Sequence, residues 1–233
     1  MIQTRSSNLT YIHERILLAC QRTGRDPTKV RLVVVSKTRS AKEVRDVMEA
    51  GQVIFGENRV QEARDKIPLV NNPALQWHLI GPLQTNKVKT AVKLFHMIHS
   101  LDSLRLAEEL SKEATPMSPM PVLLQINLGR EPQKSGLPPE NATEMIRRMA
   151  LLPGIVIQGL MAIPPQTPSP EEARPWFRAL AQLRDHVMEN LKADHIDGVN
   201  LHELSMGMSH DYEIAVEEGA TLVRIGSAVF NLN

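Results

Sequence analysis

Lys37 follows the apolar run Leu32-Val33-Val34-Val35, with only Ser36 between them. Four aliphatic residues in a row are typical of a buried strand, which would deliver the lysine amine to the carboxyl-terminal rim of a sheet. Loss of water disfavours the charged form of an amine, and a neutral lysine is a nucleophile that forms Schiff bases with aldehydes. The alternative is an ordinary solvated lysine at a strand end, and this segment alone leaves both open.

A second group of residues with chemical potential lies near the end of the sequence. Ser205, Gly207 and Ser209 combine hydroxyl donors with a glycine that lets backbone amides approach a ligand closely. Gly226-Ser227 repeats this combination. Such loops are typical of phosphate sites, although a serine before a helix is also a common N-cap and a glycine a common turn residue.

Short apolar runs alternate with helical patterns along the whole chain. An amphipathic helix comes first, with apolar residues at helical spacing from Leu9 to Cys20. The predicted strands are 31–36, 53–55, 76–80, 97–101, 122–127, 157–162, 201–204 and 222–225. The predicted helices between them are 42–50, 59–66, 85–94, 103–113, 139–151, 170–192 and 211–218.

Eight strands that alternate with helices predict a single α/β domain over residues 1–233, a (β/α)₈ TIM barrel with a leading N-terminal helix. No G-x-G-x-x-G follows a strand, which argues against an open dinucleotide-binding sheet. In a barrel, functional residues lie just after the strand ends, and phosphate is commonly held by the loops after strands seven and eight. Lys37 and both serine–glycine loops occupy such positions. Asp211 is a complication, because its carboxylate would compete with phosphate at the following helix unless it points away.

Composition excludes several classes of protein. Lys and Arg number 27 against 26 Asp and Glu, so no basic surplus points to nucleic acid or an anionic membrane. Cys20 is the only cysteine, which favours a reducing compartment. Neither a signal peptide nor a membrane span is expected, so we predict a cytoplasmic protein. We expect no metal site, because the pairs His202-Glu203 and His210-Asp211 are adjacent and adjacent strand residues face opposite sides.

A lysine on the first strand and a phosphate loop on the last two strands together suggest pyridoxal 5'-phosphate (PLP). Several stretches resemble the pyridoxal phosphate homeostasis protein family, in the same order along nearly the whole chain. They are VSKT at 35–38, FGEN at 55–58, WHLIGPLQTNK at 77–87, KSG at 134–136, GLMAIP at 159–164, LSMGMS at 204–209 and VRIGS at 223–227.

The resemblance implies a barrel like the N-terminal domain of alanine racemase, with Lys37 holding PLP as a Schiff base. It also implies a role for each residue at a matching position. Ser205, Ser209, Gly226 and Ser227 would bind the phosphate, Arg224 would face the pyridine nitrogen, Asn58 would lie near the ring, and Met161 and Met206 would wall the pocket. Lys134 matches a family lysine linked to a secondary cofactor contact, with a solvated loop residue as the alternative.

The same resemblance favours a carrier of PLP over an enzyme. A guanidinium stays protonated, so Arg224 would not keep the ring nitrogen protonated as an acidic partner does. Racemisation needs a second acid–base group, and the racemase supplies it as a tyrosine from a further domain that we expect to be missing here. Tyr11 should pack on the leading helix, and Tyr212 should belong to the helix after the phosphate loop.

We therefore predict a PLP-binding protein of intracellular PLP (vitamin B6) homeostasis, with indirect effects on amino-acid homeostasis and without strong catalysis. PLP-dependent apo-enzymes would be its recipients, and we expect a monomer. The alternatives are a racemase or decarboxylase of low activity and a Schiff-base aldolase that acts on a sugar phosphate.

Overall fold

The computed structural model describes residues 4–196 and 199–232. Its strands are β1 Arg31–Val35, β2 Ile54–Glu57, β3 Gln76–Leu79, β4 Met97–Leu101, β5 Met120–Ile126, β6 Ile155–Ala162, β7 Glu203–Ser205 and β8 Leu222–Ile225. All neighbouring strands are parallel, and β8 pairs with β1, so that the sheet closes into a barrel in sequence order. The predicted (β/α)₈ barrel is thus confirmed.

Helices connect the strands and cover the outside of the barrel. They are α1 Arg5–Arg22, α2 Ala41–Glu49, α3 Val60–Val70, α4 Val88–Leu94, α5 Leu104–Glu113, α6 Ala142–Met149, α7 Arg174–Ala193, α8 Tyr212–Glu217 and α9 Ser227–Phe230. Short 3₁₀ turns precede α4, α6 and α7, at Thr85–Lys87, Pro139–Asn141 and Pro170–Ala173. The helices predicted at 85–94, 139–151 and 170–192 each included the 3₁₀ turn that precedes the α-helix. A 3₁₀ turn and an α-helix bring side chains to one face at similar spacing, so the sequence pattern does not distinguish them.

The leading helix α1 is present as predicted and packs against α8 and α9. Asn8 donates hydrogen bonds to the carbonyl oxygens of Val229 (3.1 Å) and Asn231 (3.2 Å). The Arg15 guanidinium pairs with both carboxylate oxygens of Glu213, at 2.8 and 2.7 Å. These contacts fix α1 against the elements that follow β7 and β8.

Two buried apolar clusters stabilise the barrel. The larger cluster lies between the strands and the helices and includes Leu32 and Val34 of β1. The smaller cluster takes one residue from each of six strands and fills the barrel interior: Val33, Ile54, Met97, Leu123, Met161 and Leu222. Alternate residues of β1 therefore face opposite sides, as strand geometry requires. In the described part of the chain, no helix is both long and apolar enough to cross a membrane.

Candidate functional site

Lys37 lies two residues beyond the end of β1, at the carboxyl-terminal rim of the barrel. Its side chain is exposed and lines a cavity of about 340 Å³. We call this the lysine cavity, and its walls come from β1, the rim and the loop after β5. They are Val35, Lys37, Asn58, Ile80, Gly81, Pro82, Gln125, Ile126, Asn127, Gln133, Lys134, Ser135, Ile163, Met208 and Arg224. Of the residues that the sequence predicted to bind the cofactor, Lys37, Asn58 and Arg224 line this cavity together.

Arg224 enters the lysine cavity from β8 and is only 4% exposed. Its guanidinium donates to Ser205 Oγ (2.6 Å) and to the carbonyl oxygen of Ala162 (3.0 Å). Within residues 4–196 and 199–232, no carboxylate forms an ion pair with it, and burial lowers the pKa of Arg224 to about 10. A buried cation whose partners are neutral is a favourable site for an anionic or electron-rich ligand atom.

Ser205 faces the barrel interior and is fully buried. Arginine carries only donors, so Ser205 Oγ accepts from Arg224. Among the described residues the only acceptor within reach of the Ser205 hydroxyl hydrogen is His99 Nδ1 at 2.8 Å, and we assign the hydrogen to that bond. His99 Nε2 must then carry a hydrogen, which it donates to His78 Nδ1 at 2.9 Å. Burial holds the pKa of His99 well below its ordinary value and lowers that of His78 to about 3. Ser205 is therefore one link of a buried chain that ends on Arg224, and no described cavity is lined by it.

Ser209 and Ser227 line a neighbouring cavity of about 480 Å³, which we call the serine cavity. The Ala228 amide lies 3.5 Å from Ser209 Oγ. Met208 and Arg224 line the lysine cavity, so the two cavities meet at the adjacent residues Met208 and Ser209, and only Ile225 and Gly226 lie between Arg224 and Ser227. The remaining lining residues of the serine cavity are Asn8, Tyr11, His210, Ala228 and Asn231.

Backbone contacts shape the loops between these two cavities. Gly226 packs so closely on β1 that a Cβ there would lie 3.0 Å from the Val35 carbonyl oxygen. The Asp211 carboxylate points back into its own loop and accepts from the Met208 amide at 2.7 Å. The Asp211 carboxylate, which could have competed with phosphate for the amino-terminal end of α8, is thus engaged by a hydrogen bond inside the loop.

Neither of the two methionines predicted at the pocket lines the lysine cavity. Met161 is fully buried in the cluster inside the barrel, and Met206 is fully buried in the core between strands and helices. Met208, which the sequence interpretation missed, lines the lysine cavity instead. Gly207, which lies between Met206 and Met208, has φ +88°. The inward–outward alternation of side chains along a strand therefore stops at Gly207, and it does not predict which of the two methionines faces the cavity.

The loop after β5 supplies the part of the lysine cavity that strand patterns did not reveal. Asn127 donates through Nδ2 to the carbonyl oxygens of Glu131 (2.9 Å) and Lys134 (3.2 Å). Gln125 donates to the Ser135 carbonyl oxygen at 2.9 Å. Lys134 Nζ pairs with Glu131 (2.6 Å), donates to the Pro164 carbonyl oxygen (3.1 Å) and lines the lysine cavity. The loop is thus ordered by its own side chains.

The tyrosines and histidines give two further results. Tyr212 begins α8 and is buried, and burial raises its pKa to about 12. Tyr11, which we expected to be packed, is instead 60% exposed and lines the serine cavity. It lies on the face of α1 that is turned away from the core.

Within the described ranges, no three His, Cys, Asp or Glu side chains are grouped closely enough to hold a metal ion.

Comparison with known proteins shows the family to which the chain belongs. The family model "Alanine racemase, N-terminal domain" matches residues 8–233. The chain is 43% identical to the pyridoxal phosphate homeostasis protein of Aquifex aeolicus over 95% of both chains. It is 40% identical to the protein of that name from Pseudomonas aeruginosa, over 98% of this chain and 96% of the other.

A solved structure agrees with the sequence relatives. PipY of Synechococcus elongatus, determined with PLP bound, superposes with a TM-score of 0.80 at 38% identity, over 94% of this chain and 100% of PipY. The family match, the two relatives and the superposition extend over almost the entire chain. The chain therefore belongs to the alanine racemase N-terminal domain family and, within it, to the pyridoxal phosphate homeostasis proteins.

Proposed function

We propose that this protein binds PLP as a Schiff base on Lys37 and acts in PLP homeostasis, without strong catalytic activity. One observation carries the proposal: the Lys37 amine and the buried Arg224 guanidinium share a cavity, and a hydroxyl-lined cavity adjoins it. The PLP-bound state of PipY and the names of the relatives support it.

The residues present fit the parts of PLP. When bound, PLP supplies an aldehyde that condenses with an amine and a ring that withdraws electrons. Lys37 would hold the aldehyde carbon and Arg224 would donate to the ring nitrogen, with Asn58 beside the ring. Ser209, Gly226 and Ser227 would hold the phosphate next to the serine cavity. In place of Met161 and Met206 we assign Met208 to the wall, and we assign Ser205 to orienting Arg224.

The arrangement of donors favours a carrier. An arginine that donates to the ring nitrogen leaves that nitrogen unprotonated and the ring a weaker electron sink. No tyrosine lines the described part of the lysine cavity, so the acid–base tyrosine that a racemase would place opposite Lys37 has no counterpart in it. We propose that the protein acts in the cytoplasm as a monomer, that it hands PLP to apo-enzymes, and that amino-acid homeostasis responds indirectly.

Replacement of Lys37 tests this function. We expect the purified protein to gain a visible absorption band with PLP, and Lys37→Ala to lack it, because the band requires the imine. Borohydride reduction followed by peptide mapping should place the pyridoxyl group on Lys37. Lys42→Ala, which removes an exposed lysine at the start of α2, is the control and should keep the band. A parent protein that stays colourless with PLP would overturn the proposal.

A racemase or decarboxylase of low activity is the second candidate. The observation in its favour is a cavity of about 680 Å³ that shares Lys134, Ile163 and Met208 with the lysine cavity and gives an amino acid room beside it. We expect no turnover approaching the enzymatic rate of about 1 per second. Chiral and carbon dioxide assays on the common amino acids measure this, and turnover near that rate would favour the enzyme.

A further inference from the structure

A cluster of polar residues, three of them buried, lies behind Lys37, on the outer side of β1 and β2. It consists of Ser36, Glu57, Glu62 and Lys66, and we call it the rear cluster. Glu57 is fully buried and Lys66 is 6% exposed. Lys66 Nζ lies 2.8 Å from one carboxylate oxygen of each glutamate. No member of the rear cluster lines the lysine cavity, so these charges have no direct contact with a ligand there.

The rear cluster binds the backbone on both sides of Lys37. On one side, Lys66 Nζ donates to the Ser36 carbonyl oxygen at 2.7 Å. On the other side, the Thr38 amide donates to Glu62. Ser36 Oγ also donates to Glu57, at 2.7 Å. One lysine and two glutamates therefore hold the two residues that flank Lys37 and leave its own side chain untouched.

The turn at this point needs such support. Thr38 has φ +62°, a left-handed conformation that a β-branched residue rarely adopts. A conformation of this kind persists only where surrounding contacts enforce it, and it commonly occurs at functional sites. The turn directs the chain away from β1 immediately after Lys37. The contacts of Lys66 and Glu62 support it from the side, together with the turn hydrogen bond from the Arg39 amide to the Ser36 carbonyl oxygen at 3.0 Å.

Stability alone does not explain the composition of the rear cluster. Glu57 Oε2 is buried and has no hydrogen-bond partner among the described residues. Well-packed apolar residues often stabilise a fold as much as a buried ion pair does. A buried ion pair with directional bonds to one particular turn fixes the geometry of that turn, which apolar packing does less specifically.

We propose that Glu57, Glu62 and Lys66 are positioning residues that hold the backbone of residues 36–38 so that the Lys37 amine meets the aldehyde of PLP. In that reaction the amine nitrogen bonds to the aldehyde carbon and one water is released. The proposal rests on the function proposed above. It concerns chiefly the covalent part of binding, because the phosphate contacts and Arg224 arise from β7, β8 and their loops. Asn58, which follows Glu57, is the proposed ring contact next to the rear cluster.

A double-mutant cycle separates positioning from general stability. Lys66→Met is made in the parent and in Lys37→Met, and PLP affinity is measured for all four proteins by equilibrium dialysis. In the parent background we expect a loss of about 10- to 100-fold, typical of a misplaced reactive group. In the Lys37→Met background we expect a change of about 2-fold or less, because only non-covalent contacts remain there.

The matched control is Arg31→Met, which removes the cation paired with the buried Glu203 at the opposite end of the barrel. It should leave PLP affinity unchanged. Glu62→Ala, at a partly exposed residue, is a second variant that removes the oxygen bonded to the Thr38 amide and to Lys66, and it should show the same selective loss if Lys66→Met does not fold. Equal losses in both lysine backgrounds, or no loss from either variant, would overturn the positioning role. A parent protein that forms no imine would instead overturn the proposed function, so the two failures are distinguishable.

Discussion

Lowering the pH from 7 to 5 is expected to reduce the free energy of unfolding by about 2 kcal/mol through the buried His78, with a further reduction through the buried His99. His78 and His99 are almost fully buried, and burial lowers the pKa of His78 to about 3 and that of His99 well below its ordinary value. Below pH 6.5 the unfolded chain binds protons at both rings, whereas the folded protein does not. Stability therefore falls as the pH falls, by about 2 kcal/mol for His78 over this range, and His99 contributes in the same direction.

Replacement of one ring isolates this effect. In His78→Asn, the new Oδ1 takes the place of Nδ1 and accepts from His99 Nε2, so that the hydrogen-bonded chain to Arg224 is kept. Urea unfolding at pH 7 and pH 5 should show about 2 kcal/mol less acid destabilisation in the variant than in the parent. Glu57, Asp102 and Asp211, whose pKa values burial raises, oppose the histidines equally in both proteins. The same pH dependence in parent and variant would contradict the explanation.

Gly81→Ala should damage both stability and PLP binding. A Cβ at this position would lie 2.3 Å from the Asn58 carbonyl oxygen and 2.8 Å from its Cα, and both are backbone atoms that cannot rotate away. Ser100 Oγ holds the Gly81 carbonyl oxygen at 2.7 Å, so the glycine is not free to move in the opposite direction. We expect a loss of about 3 kcal/mol in the free energy of unfolding. Since Asn58 lines the lysine cavity, PLP affinity should fall about 100-fold.

Gly24→Ala is the control for this substitution. Gly24 has φ +66° but open space around its Cα, so an alanine there meets a backbone cost of about 1–2 kcal/mol without any clash. Its PLP affinity should match that of the parent. Denaturant unfolding and equilibrium dialysis measure the two quantities for each variant. If Gly81→Ala bound PLP as tightly as the parent, the close contact between residues 58 and 81 would have no part in shaping the cavity.

The sequence predicted the architecture because its signals are local. Apolar runs separated by helical patterns determine strands and helices residue by residue, and eight such units close as a barrel. Two predicted strands, 97–101 and 222–225, have the bounds of β4 and β8. In a parallel barrel, the strand ends all meet at one rim. A lysine after the first strand and an arginine on the last therefore had to be neighbours, and Lys37 and Arg224 line one cavity.

Only the tertiary structure decided which side chains share a hydrogen bond. The partners in the chain from Arg224 to His78 lie 19, 106 and 21 residues apart, so their contacts depend on strand register and barrel closure. Ser205, which the resemblance assigns to the phosphate, lies in the interior and forms hydrogen bonds with Arg224 and His99 that the sequence did not predict. The rear cluster likewise joins β1, β2 and α3. Periodicity is a property of neighbours along the chain and determines which face a strand residue occupies, whereas the partner it meets there is set by the packing of distant elements.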